Sequence, residues 1–117
     1  MTFHELVAEI KKNITECTVE DVKNMKSSNE DFILVDTREE SEFAEGRIKG
    51  AIHIGRGIIE RDIHLHIPDK EQKVVLYCGG GFRSALAAHN LQLMGYSNII
   101  SMDGGWKGWL NSQGETE

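Results

Sequence analysis

Four strand-forming residues, Val74 to Tyr77, run directly into Cys78, three consecutive glycines, Phe82 and Arg83, and then into the helix-forming Ser84-Ala85-Leu86-Ala87-Ala88. No other stretch constrains the fold as tightly. A strand that ends in a glycine-rich loop and feeds a helix points several backbone N–H groups at one spot, where the helix N-terminus adds positive potential. Cys78 opens that cradle. An ordinary thiol, with a pKa of ~8.5, is only slightly ionised near neutrality. One or two N–H bonds to the sulfur anion, at about 1.5–3 kcal/mol each, are enough to change that. A strand-end cysteine is often a small buried hydrophobe, and glycines often mark a turn. Their occurrence together with Arg83 at a helix start reads instead as an active site. Cys78 is its nucleophile, and Gly79, Gly80, Gly81, Phe82, Arg83 and Ser84 form its anion-holding loop.

Elsewhere short apolar strands alternate with helical patterns, which predicts an α/β fold with a mainly parallel sheet. Phe32-Ile33-Leu34-Val35, ending in Asp36, reads as a central strand. Residues 51–54 and 97–101 read as further strands, and residues 14–17 as an edge strand. Phe3, Leu6, Val7, Ile10 and Ile14 recur at helical spacing opposite Glu5, Glu9, Lys11 and Lys12, so residues 2–13 form an amphipathic helix packed on the domain. Thr18 with Asp21 caps a second helix. Residues 39–44 form a short one closed by Gly46. Leu86, Ala87, Leu91 and Met94 supply the core-facing side of the helix after the loop. A last helix carries Trp106, Trp109 and Leu110, its two tryptophans at i, i+3 spacing complete the core, and residues 111–117 fray. Residues 55–68 show only partial helical spacing, through Ile58, Ile59, Ile63 and Ile67.

Three other positions draw notice. Asp36 and Arg38 follow a central strand on the side where open α/β sheets bind ligands; they either reach the site or brace neighbouring loops as a pair. Arg56 follows another strand end and either brings charge toward an anionic substrate or is a solvated surface group. A chain of 117 residues is one domain. Its net charge of −6 argues against a nucleic-acid partner, and no apolar run approaches a membrane span. The charged first 15 residues do not read as a signal peptide, so a cytoplasmic location is expected. Cys17 and Cys78 make no disulfide framework, and no Cys/His spacing suggests a metal site.

Cys78-Gly79-Gly80-Gly81-Phe82-Arg83-Ser84 resembles the active loop of the rhodanese family, C-x-x-G-x-R-S. Asp36-Thr37-Arg38 resembles its D-x-R. Glu42-Phe43 with Gly46, Ile48, Gly50 and Ala51 is similar to its E-F…G-x-I-x-G-A segment. Arg56-Gly57 with Glu60 resembles a stretch of single-domain members, and Gly104-Gly105-Trp106 the closing G-G-W. These motifs fall within residues 33–109. Arg47 and Lys49 depart from the histidine and proline common in the family. The resemblance implies a single rhodanese-like domain over residues 1–117, with a five-stranded sheet and helices on both faces. It also implies a sulfurtransferase that carries sulfur as a Cys78 persulfide. The donor would be thiosulfate or another small anion, and the acceptor cyanide or a thiol, a thioredoxin-like protein included. No metal or organic cofactor is implied.

Two rival readings share a reactive cysteine. Cys-dependent phosphatases and arsenate reductases resemble C-x5-R, one residue longer than the loop from Cys78 to Arg83. A phosphate with three equatorial oxygens needs a wider cradle than one sulfur atom, so the short loop favours sulfur. Cys78 argues against an inert docking module, whereas a non-enzymatic persulfide carrier differs from an enzyme only in the partners that meet the loop.

Overall fold

The structure is a computed structural model and describes residues 1–117. Along the chain come α1 (Phe3–Lys11), β1 (Thr15–Cys17), α2 (Val19–Ser27), β2 (Ile33–Asp36), α3 (Glu40–Glu45) and β3 (Ile52–His53). They are followed by α4 (Ile59–His66), β4 (Val74–Tyr77), α5 (Phe82–Leu93), β5 (Ile99–Met102) and α6 (Gly105–Asn111). The strands form one sheet in the order β1-β5-β4-β2-β3, and every pairing is parallel. From β2 the chain runs outward to β3, returns to β4 in the middle, and leaves on the opposite side to β5. Ligand crevices open beyond the carboxyl ends of strands where the order reverses in this way. Cys78 follows the central strand at that end.

Two cores flank β4, all four of whose residues are fully buried. The strand pleat sends Val74 and Leu76 to one side, among Ile59, Ile63 and Ile67 of the α4 segment and Ala87, Ala88 and Leu91 of α5. Val75 and Tyr77 point the other way, toward Val22 of α2, Met102 and Trp109 of α6. Burial of each large apolar side chain contributes about 1.5–3 kcal/mol. This double burial explains why β4 is an unbroken apolar run rather than an alternating one.

Several expectations change on contact with the structure. The amphipathic stripe of α1 buries only Val7; Phe3 and Leu6 remain 48% and 40% exposed. On α5 the close approach to the sheet selects the small residues Ala85, Ala87 and Ala88, while Met94 lies beyond the helix at its C-cap and stays partly exposed. Of the two tryptophans on the last helix, Trp109 is fully buried, whereas Trp106 packs against the same core only partly buried. The unclear stretch contains α4, anchored by Ile59 and Ile63.

The C-terminal residues do not fray. Arg47 and Glu117 exchange backbone hydrogen bonds of 3.2 and 2.9 Å, and Ile48 pairs with Thr116 in an antiparallel bridge. The Trp109 indole N–H donates to Glu115 O at 2.9 Å. A side chain at Gly114 would run into the Trp109 ring, so only glycine lets the chain cross there. A polar segment is thus held by backbone pairing with residues remote in sequence, which its composition does not reveal.

Candidate active site

The loop leaves β4 at Tyr77 and turns so that Cys78, 1% exposed, sits beneath the first turn of α5. Cys78 Sγ accepts from the Gly81 N–H at 3.2 Å and from the Ser84 N–H at 3.4 Å. Ser84 Oγ lies 3.5 Å from the same sulfur and 2.8 Å from Ser101 Oγ on β5. Burial pushes the Cys78 thiol upward. The Ser84 hydroxyl and the N–H groups of Ser84, Gly81 and Gly80 more than offset it, leaving the pKa below that of an ordinary thiol. The N–H groups of Gly79, Phe82 and Arg83 make no hydrogen bond within the chain, as expected at a helix start. Gly81 holds the turn at φ +100°, a left-handed conformation that disfavours any residue with a Cβ.

The outer side of the loop is fixed by α6. Trp106 N–H donates to Cys78 O at 2.7 Å, and Lys107 N–H to Gly79 O at 3.1 Å. Gly105 makes this possible: its φ is +55°, and a Cβ there would overlap Cys78 O and come within 2.8 Å of Gly79 C. The Gly104-Gly105-Trp106 motif is therefore the clamp that aims the loop.

Above the sulfur lies a cleft of about 450 Å³ walled by Phe3, Glu42, Cys78, Gly79, Gly80, Phe82, Arg83 and Lys107. Arg83 donates to Glu42 at 2.9 Å and holds its carboxyl below the usual carboxylate range. A larger recess of about 840 Å³ lies elsewhere, between α2 and the C-terminal residues. Its lysines are already engaged: Lys23 with Ser112 O, Lys26 with Lys49 O, and Lys49 with Glu115. Size does not mark the site; the convergence of donors on Cys78 does.

The structure separates the other singled-out residues from this cleft. Asp36 and Arg38 form a buried pair at 2.7 Å, and Arg38 also donates to Gly46 O at 2.7 Å. The Arg38 guanidinium stands 4.7 Å over the Trp106 ring. They brace α3, β3 and α6 around the loop and do not line the cleft. Arg56 is bound to Glu60 at 3.1 Å, itself held by Asn90, and does not line the cleft either. Sequence reasoning missed Phe3, Lys107 and Glu42 as cleft residues, Glu42 standing out only within the E-F motif. Lys107 carried a signal in its place beside the G-G-W motif, whereas Phe3 lies at the other end of the chain and carried none.

A family model, the Rhodanese-like domain, matches residues 18–112. The chain belongs to the rhodanese family. A sulfurtransferase of Allochromatium vinosum is 31% identical over 96 residues, covering 82% of this chain and 88% of that one. The thiosulfate sulfurtransferase of Glaesserella parasuis is 29% identical over 104 residues, covering 89% and 94% respectively. Among solved structures, a Rhodopseudomonas palustris protein of unknown function, described as a possible tyrosine phosphatase, superposes with a TM-score of 0.86 at 29% identity. That match covers 100% of this chain and 95% of the other. The rhodanese assignment places the five-stranded parallel sheet and the Cys78 loop in one known architecture. No helix is long and apolar enough to cross a membrane.

Proposed function

We propose that this rhodanese is a sulfurtransferase that carries sulfane sulfur on Cys78, taking it from thiosulfate or another small anionic donor and passing it to a thiol, with cyanide as a surrogate acceptor. One observation carries the reading: Gly81 N–H, Ser84 N–H and Ser84 Oγ converge on a single sulfur atom within 3.2–3.5 Å. The Cys78 thiolate attacks the outer sulfur of the donor. A new S–S bond forms to Cys78, the donor's own S–S bond breaks, and sulfite leaves with the electron pair when the donor is thiosulfate. After the Cys78 persulfide anion takes a proton from solvent, an acceptor thiolate attacks its outer sulfur, the S–S bond to Cys78 breaks, and the acceptor departs as a persulfide while Cys78 returns to the thiolate. The free N–H groups of Gly79, Phe82 and Arg83 supply preorganised donors for the persulfide's terminal anion.

Phosphoryl chemistry is the rival, given the description of the Rhodopseudomonas palustris neighbour. Here the loop from Cys78 to Arg83 is one residue shorter than C-x5-R, and Arg83 is paired with Glu42 at 2.9 Å. Intact-mass measurement after thiosulfate treatment tests the choice. The expected result is a gain of one sulfur atom on Cys78, with negligible hydrolysis of aryl phosphates. Robust phosphatase activity without the sulfur adduct overturns it.

Two further outcomes follow from the site. Removing the Ser84 hydroxyl takes away a donor that stabilises the thiolate, and the protonated thiol is inert. Ser84→Ala therefore moves the acid limb of the kcat/KM profile to higher pH, with a loss at neutrality that recovers toward the alkaline plateau. An unmoved limb refutes that role for Ser84.

Cys17 is the remaining thiol, and burial pushes its pKa to about 12. β5 lies between β1 and β4, so the two cysteines stand about two strand spacings, or ~10 Å, apart. A disulfide needs Cα atoms within about 7 Å. Cys17→Ala is expected to retain multiple turnover with a thiol acceptor; a variant that folds but stops after one turnover shows Cys17 to be a resolving thiol.

A further inference from the structure

Resting on the sulfur-transfer reading, a second property of the same cleft concerns what the donor looks like around its reacting sulfur. The cleft has two unlike walls. One is aromatic: Phe3 and Phe82 both line it and pack edge to face, with ring centroids 6.0 Å apart. His4 adds a second edge-to-face contact to Phe82 at 5.4 Å. The exposed fractions of Phe3 and Phe82, 48% and 39%, leave apolar area unspent at the mouth of a site whose sulfur is buried. The other wall is charged. Arg83 is cancelled by Glu42, whereas Lys107 forms no ion pair and remains the uncompensated cation.

The aromatic wall is built, not incidental. Thr2 and Glu5 close a full capping box that sets the first turn of α1, which carries Phe3. Val7 buries the same helix against the domain, and Lys11 ties its last turn to Glu16 and Asp103 at 3.3 Å each. α1 also lies outside residues 18–112, the part that matches the family model. None of the groups that converge on Cys78 Sγ lies on α1, and what α1 adds at the cleft is Phe3. Inorganic thiosulfate offers an aromatic wall nothing to bury.

We propose that Phe3 is a specificity-determining residue, and that the cleft takes amphipathic organic donors whose anionic sulfur group faces Lys107 and whose apolar substituent rests on Phe3 and Phe82. Organic thiosulfonates, R–SO2–S⁻, have this chemistry. Attack of the Cys78 thiolate on their outer sulfur forms the Cys78 persulfide and expels the sulfinate, R–SO2⁻, with the electron pair of the broken S–S bond. No further oxidant or reductant is required. An aryl group stacked edge to face gains both burial and a directional contact.

The test compares benzenethiosulfonate with thiosulfate on the wild type, on Phe3→Ala and on Phe3→Leu. It reads kcat/KM for each donor and the mass of the Cys78 adduct. The wild type is expected to favour benzenethiosulfonate. Phe3→Ala is expected to shift the ratio of the two kcat/KM values about tenfold toward thiosulfate, mostly through KM, with Phe3→Leu falling between. Phe3 is half exposed, so thermal unfolding should move little, and a shifted ratio cannot be ascribed to a damaged fold. A ratio unchanged in both variants, with the persulfide still forming from both donors, overturns the role of Phe3 alone. Loading by thiosulfate but not by benzenethiosulfonate overturns the proposed donor class, and failure of both donors to load Cys78 in the wild type overturns the sulfur-transfer reading beneath it.

Discussion

Replacing Cys78 with serine is expected to abolish sulfur transfer while leaving the fold intact. The substitution is nearly isosteric, and the Gly81 and Ser84 N–H groups that reach Sγ at 3.2 and 3.4 Å find an acceptor in the serine oxygen. Stability should therefore change little. Chemistry is different. A serine hydroxyl has a pKa far above that of a thiol, and four donors that hold a thiolate do not make an alkoxide abundant at neutrality. Nor can an oxygen nucleophile form the persulfide that the second half-reaction needs. Turnover of thiosulfate with cyanide should fall to the uncatalysed rate, and the variant should take up no sulfur by intact mass. Wild-type-like turnover in a folded Cys78→Ser protein refutes the mechanism outright.

The second large effect is expected far from the sulfur in sequence. Gly105→Ala forces a Cβ onto Cys78 O and Gly79 C at a backbone φ of +55°. Backbone, unlike a flexible side-chain tip, cannot yield cheaply. Overpacking at about 1–3 kcal/mol, together with the Trp106 and Lys107 N–H bonds it displaces, adds to roughly 3 kcal/mol. For a domain of this size that lowers Tm by on the order of 10 °C. Activity should fall by more than the loss of folded protein explains, because the displaced carbonyls belong to the loop that aims its donors at Sγ. Gly57→Ala is the control: nothing lies within 4 Å of a Cβ there and its backbone is outside the left-handed region. Equal effects of the two substitutions on Tm and rate would show that the α6 clamp does not position the loop.

What could be read from the chain was what lies close together along it. The strand, the glycines and the helix of the Cys78 loop are consecutive, so spacing alone implied the cradle. Asp36 and Arg38 are two residues apart, which left only the choice between ligand contact and bracing; the 2.7 Å bond from Arg38 to Gly46 O selects bracing. Where a residue's role depends on distant chain, sequence was silent. The G-G-W motif was visible, yet the reason for Gly105 is a carbonyl of the Cys78 loop. Phe3 reaches the cleft only because α1 docks on α5. Arg56, promising by its place after a strand, spends its charge on Glu60. The last residues look like a polar tail until Arg47, Ile48 and Trp109 are brought alongside them.

The α6 clamp also ties the finished geometry of the loop to residues made after it. During synthesis Cys78 leaves the ribosome before Trp106 and Lys107, whose N–H groups hold the Cys78 and Gly79 carbonyls. Ser101, the hydroxyl partner of Ser84, likewise arrives later. A nascent chain that stops at the end of α5 carries the cysteine without the contacts that shape its surroundings. Such a chain already holds the Gly81 and Ser84 N–H groups, yet the loop reaches its final geometry only once β5 has joined the sheet and α6 has docked beside it.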